Sequence, residues 1–265
     1  MLSRSARKSL QFDRSAGRRG QGGPAPGAVE NYREPAYLAA MLELSPFKAV
    51  IFDMDGTLLD TELVFRTIVF DVAGELGYAM TDDVHLAMVG SSHEATSRLL
   101  ANAYGANFPY AAFDERCRVI MRQRMAEAVP VKRGAHELLR ELKARRIPRA
   151  VATSSRAVHA LNHLEHAGLI GLFDEIVTRD DVTDPKPHPE PYLTAAARLG
   201  VEPALCVAVE DSHSGVRAAH AAGMQTIMVP DLVPPTAEIE ALCVGVLESL
   251  AHVHQLALPP LAASA

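Results

Sequence analysis

Two aspartates separated by one residue open the run Asp53-Met54-Asp55-Gly56-Thr57. They directly follow an apolar stretch, residues 48–52, of the kind that forms a strand buried on both faces. Side chains two positions apart on extended chain point the same way, so both carboxylates address one site. Such a pair could carry catalysis, hold a metal ion or solvate a turn, and three other segments bear on the choice. Thr153-Ser154-Ser155 offers hydroxyls and backbone N–H groups where a helix should begin, a ready anion site. Asp184-Pro185-Lys186-Pro187-His188-Pro189 sets one lysine between prolines that fix φ and stiffen the loop. Glu210-Asp211-Ser212 brings two acids whose oxygens suit a hard cation. Taken singly, these are a helix cap, a solvated lysine and a capping pair; taken together in one fold, they point to a single site.

Parallel strands are needed to bring such segments together. Further apolar runs occur at residues 149–153, 175–178, 204–209 and 224–229. Helical patterns separate most of them. Ala135, Leu138, Leu139 and Leu142 fall at i, i+3, i+4 and i+7 in a helix that must stop before Pro148, and Val158, Leu161 and Leu164 mark one closed by Gly168. A third starts near Pro191 and ends at Gly200, and a fourth covers residues 214–223. Strands alternating with helices of this length predict an α/β fold with a doubly wound parallel sheet, in which ligands bind at the carboxyl ends of the strands. Between Leu58 and Val131 the alternation stops, leaving amphipathic helical segments at 62–76, 82–88, 92–104 and 113–127, with Ser91 and Glu94 at capping-box spacing. The expected organisation is a core of residues 46–60 and 132–265 with an all-helical cap, residues 61–131, inserted after the first strand. Residues 1–45, rich in Arg, Ser, Gly and Pro, read as a disordered extension, with an organellar transit peptide or a translation start at Met41 as alternatives. The Ala/Leu-rich tail, 244–265, is expected to form one peripheral helix and a frayed end.

The net charge of −6 is unevenly spread: residues 1–20 carry six basic side chains against Asp13, a net +5, leaving −11 on the remainder. A body this acidic repels a phosphate backbone, so no nucleic-acid partner is expected. Cys117, Cys206 and Cys243 are far apart and odd in number, which suits buried thiols in a reducing compartment. No apolar stretch approaches the roughly 20 residues a membrane span takes. A cytoplasmic protein without membrane association is expected.

The four polar segments, in this order over about residues 47–230, resemble the four motifs of the haloacid dehalogenase-like superfamily. The position of the helical insertion resembles its small-cap subgroup, which includes phosphoglycolate, sugar-phosphate and hexitol-phosphate phosphatases and β-phosphoglucomutase. The resemblance implies a Mg²⁺-dependent phosphatase acting on a small phosphorylated metabolite, a sugar, polyol or glycolate phosphate. Asp53 would attack phosphorus to give an aspartyl-phosphate, and Asp55 would serve as acid and then base. Mg²⁺ would bind the Asp53 carboxylate, the Asp55 main-chain carbonyl and Asp211, with Glu210 either a ligand or a hydrogen-bond acceptor beside them. Lys186 would set positive charge against Asp53 and the phosphoryl oxygens. Gly56, Thr57, Thr153 and the Ser154 backbone would surround the phosphate, and His93 in the cap would read substrate or serve as a cap. The partner expected is the substrate alone, in a monomer or homodimer.

Competing readings separate on particular positions. A dehalogenase needs neither Asp55 nor the Glu210-Asp211 pair. A phosphonate hydrolase needs a cap lysine, and none lies between Lys48 and Lys132. β-Phosphoglucomutase shares the aspartate pair and the fourth motif, but its histidine after the first motif aligns with Phe65, its phosphate-gripping arginine with His93, and its cap lysine has no counterpart. A non-catalytic binding protein would be favoured by loss of a key position, and all are intact.

Overall fold

The computed structural model describes residues 44–89, 91 and 93–257. The expected extension therefore lies outside the described residues except for its last two. Of these, Ser45 exchanges hydrogen bonds with the side-chain amide of Gln225, at 2.7 and 3.2 Å, so it is already tied to the core.

Six strands, β1 (Ala49–Phe52), β2 (Arg149–Ala152), β3 (Glu175–Val177), β4 (Cys206–Glu210), β5 (Gln225–Met228) and β6 (Gly245–Val246), pair in parallel in the order β3-β2-β1-β4-β5-β6. β1 is central, and successive strands are added on one side and then the other. The crevice this reversal leaves at the carboxyl ends of β1 and β4 is where such sheets bind ligands. Alternation along the strands separates two packing faces. Val50, Phe52, Val151, Val207 and Val209 face α5 (Ala135–Ala144) and α6 (Ala157–His166), whose Leu138, Leu139, Leu142 and Leu164 are buried against them. Ala49, Ile51, Ala150, Ala152 and Ala208 face α7 (Glu190–Leu199) and α8 (His213–Ala221), which are themselves alanine-rich, so these helices approach the sheet closely.

Between β1 and α5 lie α1 (Thr61–Glu75), α2 (Asp82–Met88), α3 (His93–Tyr104) and α4 (Tyr110–Glu127). They share a separate buried cluster that includes Ile68, Val69, Val72, Leu100, Phe108 and Phe113. The insertion has a core of its own, which meets the main core through Val64, Met121 and Met125. Where the chain leaves and rejoins the core, Asp60 N–H donates to Pro130 O and Lys132 N–H to Leu58 O, both at 2.9 Å. The Lys132 ammonium then bridges Asp60 at 2.9 Å and Asp231 at 2.7 Å.

Two expectations need correction. Ser91 does not cap α3: the helix begins at His93, and the Ser91 hydroxyl turns back to the Ala87 carbonyl at 3.1 Å. The C-terminal region is also not a lone peripheral helix. It adds β6 to the sheet and then α10 (Leu250–Ala257), whose Leu250 and Val253 are buried in the main core, while a short helix α9 (Ala237–Glu240) precedes it. Gly134 shows why α10 docks: a Cβ there would meet the Ala251 backbone nitrogen at 2.5 Å. Residues 258–265 lie outside the described region.

Candidate active site

Three parallel strands end side by side, and each delivers a motif. Asp53 follows β1, Thr153 follows β2, and Glu210 closes β4. Lys186 arrives from the loop ahead of α7, where the Lys186–Pro187 peptide is cis. Its ammonium lies 2.5 Å from Asp53 Oδ1 and 2.6 Å from Glu210 Oε1. All three side chains are nearly excluded from solvent, at 3 % exposure for Lys186, 10 % for Asp53 and none for Glu210.

Glu210 is held from every side. Its Oε1 accepts from Lys186 and from the Tyr192 hydroxyl at 2.8 Å, and its Oε2 accepts from Asp211 N–H, Ser212 N–H and the Ser212 hydroxyl, each at 3.0 Å. Five donors exhaust what a carboxylate can accept. Gly215 makes room for this: a Cβ on it would lie 1.7 Å from Glu210 Oε1. Tyr192, in the first turn of α7, also lies under the Lys186 ammonium, 5.0 Å from ring centroid to Nζ.

Asp211 lies against the Gly56 backbone, where a Cβ would come within 2.3 Å of its Oδ2, and accepts the Thr57 hydroxyl at 3.1 Å. Gly56 has φ of +86°, so glycine serves both the turn and the approach of the carboxylate. Asp55 is held by two hydroxyls, Ser155 at 2.7 Å and Thr61 at 3.1 Å. Thr153 is buried, and its Oγ1 accepts the Ser155 N–H at 3.0 Å, leaving its own proton available to a ligand. Ser154 is exposed beside it.

The electrostatics follow from two buried carboxylates, Asp53 and Glu210, and a half-buried third, Asp211, around one ammonium. Burial raises the Asp53 carboxyl to about 8; Lys186 pulls against this, and Glu210 and Asp55 add to it. Asp211 is raised well above the usual carboxylate range by burial and then by Glu210 and Asp53. Burial also opposes ionisation of Glu210, but Lys186 and the surrounding donors hold it low. The Lys186 ammonium, disfavoured by burial, is raised overall by Asp53 and Glu210. Oxygen atoms of Asp53, Glu210 and Asp211 all lie within 4.8 Å of one another. Oxygen donors with uncompensated negative charge suit a hard divalent cation.

Residues 50–229 match the sequence profile of the haloacid dehalogenase-like hydrolases. The chain belongs to that family. A phosphorylated carbohydrates phosphatase from Thermotoga maritima is 36 % identical to this hydrolase over 180 residues, 68 % of this chain and 83 % of that protein. A solved haloacid dehalogenase-family hydrolase from Deinococcus radiodurans R1, with bound phosphate and sodium, superposes with a TM-score of 0.72 at 29 % identity, covering 80 % of this chain and 95 % of the other. A solved β-phosphoglucomutase from Clostridium difficile gives 0.60 at 25 % identity, covering 78 % and 93 %.

Within this family member, Asp53, Asp55, Gly56, Thr57, Thr153, Lys186, Glu210 and Asp211 converge at the strand ends, while His93 stands apart in the cap, bonded to Tyr110 and Arg118. His188 Nδ1 accepts the Glu190 N–H and His213 Nε2 meets Pro234 O, so both shape loops. Ser155, Thr61, Tyr192 and Glu62 were not singled out from sequence. Ser155 belongs to the hydroxyl cluster already noted, and Thr61 opens the first cap helix, but nothing in the sequence marks their common target. Burial raises the Glu62 carboxyl, with Asp55 and Asp231 adding to it, so this cap residue feels the core site. Among the described residues no helix is long and apolar enough to cross a membrane.

Proposed function

We propose that the protein is a Mg²⁺-dependent phosphatase of small phosphorylated metabolites that works through an aspartyl-phosphate on Asp53. The observation that carries this reading is the convergence of Asp53, Lys186, Glu210 and Asp211 in one water-poor cleft, with Asp55 held beside it by Ser155 and Thr61. A phosphate monoester resists hydrolysis because its anionic oxygens repel an attacker, so positive charge and a fixed nucleophile are both needed. Asp53 and Asp211, with the Asp55 main-chain carbonyl, would hold Mg²⁺, which neutralises phosphoryl charge when bound. Glu210, its oxygens already occupied by five donors, anchors Lys186.

A carboxylate oxygen of Asp53 attacks phosphorus, forming a P–O bond while the bond to the leaving oxygen breaks. Asp55 gives that oxygen its proton and then takes one from the water that attacks phosphorus, releasing inorganic phosphate and restoring both aspartates. Lys186 works against the burial that favours the protonated form of Asp53, and bound Mg²⁺ would add to that pull; the ammonium also faces the phosphoryl oxygens, while Thr153 donates to them.

Phe65 weakens the mutase reading. It places an apolar ring on the cap cavity wall at the position aligned with the mutase's histidine, and the aligned arginine is replaced by His93. Release of inorganic phosphate from an aryl phosphate, measured with Mg²⁺ and after chelation, tests the proposal. Release should require the metal and vanish in Asp53→Asn with the melting temperature preserved. Undiminished release by that variant would sink it.

A further inference from the structure

The cap helices line a half-open cavity of about 340 Å³, at the small end of the range for metabolite sites. It begins beside the reacting groups. Thr61 donates to Asp55, and the next residue, Glu62, lines the cavity together with Phe65, His93, Tyr110, Asp114 and Arg118. The leaving group of a phosphate held at Asp53 would extend from Asp55 along this wall.

We infer that the cavity selects a neutral, hydroxyl-bearing leaving group, a sugar or polyol, over one carrying a carboxylate or a second phosphate. The inference rests on the phosphatase reading and deepens it. Recognition of an anion needs an available cation, and the one arginine or lysine among the described lining residues is already engaged. Arg118 Nη2 lies 2.5 Å from Asp114 Oδ2 and 3.1 Å from His93 Nε2. Glu62, by contrast, has no hydrogen-bond donor on its carboxylate among the described residues, and it sets negative charge where an anionic leaving group would lie.

The same contacts fix what the wall offers. Because Arg118 donates to His93 Nε2, the bonding pattern assigns the imidazole proton to Nδ1. That atom lies 2.9 Å from the Tyr110 hydroxyl oxygen and 3.5 Å from Asp114 Oδ1. Tyr110 then accepts from His93 and keeps its own proton to donate. A donor at Tyr110 and an open acceptor at Glu62 match the dual character of a hydroxyl group; a carboxylate or phosphate could use only the first. Phe65 presents an apolar face that suits the C–H side of a carbohydrate.

The test is a kcat/KM panel on the full-length protein with Mg²⁺, using a hexitol phosphate, fructose 1-phosphate, phosphoglycolate and fructose 1,6-bisphosphate, with an aryl phosphate as reference. The wild type should favour the two neutral leaving groups at least tenfold. Glu62→Gln should narrow that ratio at least fivefold, and Asp114→Asn, by freeing Arg118, should raise the bisphosphate's kcat/KM at least fivefold. Aryl phosphate hydrolysis with a preference for phosphoglycolate or the bisphosphate, or a ratio unmoved in both variants, overturns this inference alone. Absence of aryl phosphate hydrolysis overturns the phosphatase reading with it. The wild-type ratio decides the matter even where a variant fails to fold.

Discussion

The cleft at the strand ends and the cavity in the cap are both lined by acids, a cation and hydroxyls, yet they treat them differently. In the cleft Glu210 receives five donors, Lys186 is pinned between two carboxylates, and glycines at 56 and 215 let backbone close on side chains. In the cavity Glu62 has no donor among the described residues, and His93 and Arg118 are 65 % and 49 % exposed along their side chains. The cleft must present one geometry to a phosphoryl group that never changes, so saturation fixes each group in advance. Groups that read a leaving group must keep open valences for it. Substitutions should therefore be severe in the cleft and mild or selective in the cap.

The largest effect on that contrast is expected from Lys186→Met, which leaves Asp53 and Glu210 buried with no ammonium between them. Removing one partner of a buried ion pair costs about 3–5 kcal/mol. Chemical denaturation should show a loss of that order, with turnover down at least a hundredfold. A loss within experimental error would mean the cleft is not the saturated region described above.

Gly56→Ala comes next, since the added methyl would collide with Asp211 and strain a left-handed turn. Overpacking of this kind costs about 1–3 kcal/mol, and the apparent Mg²⁺ requirement should rise because Asp211 is displaced. A metal titration of activity checks this; an unchanged half-saturation would detach Asp211 from the metal.

The buried carboxylates also give a pH signature. Asp53, at 3.8 ordinarily, is raised by burial to about 8, so between those values the folded chain keeps a proton that the unfolded chain has lost. Its contribution to stability is complete below about 3.8 and disappears as pH rises through about 8. Asp211 shifts in the same direction, and Glu210, held low, stays ionised and adds no slope there. The melting temperature of metal-free protein should thus fall by several degrees between pH 5 and pH 9, and saturating Mg²⁺ should flatten the fall. A rise with pH in the absence of metal would contradict it.

The mildest effect within the cleft belongs to Ser155→Ala, which removes one of two hydroxyls on Asp55. A single such hydrogen bond is worth about 1–1.5 kcal/mol. kcat should drop roughly tenfold with KM little changed, whereas a pure KM effect would place Ser155 in binding instead.

Much of the cleft was legible because its elements announce themselves. Residues 49–52 form an uninterrupted apolar run of the kind a doubly buried strand shows, and the acids come immediately after it. Tyr192 was not legible: a tyrosine at a buried helix position reads as packing, and its hydroxyl bond to Glu210 depends on where Pro189 and Pro191 start α7. β6 has two residues, too few for a period, and α10, expected at the periphery, packs into the core; nothing in the sequence says whether the core has room for Leu250 and Val253. Glu62 looked like an ordinary acidic residue in a helix first turn, and only the fold brings it near Asp55 and Asp231.

Direct detection of the phosphoenzyme tests the central claim most closely. Protein mixed with ³²P-labelled substrate and Mg²⁺, quenched in acid within a turnover and digested, should carry hydroxylamine-labile label on the peptide that contains Asp53, and Asp53→Asn should carry none. Label on a different residue, or the same label in Asp53→Asn, would contradict the account.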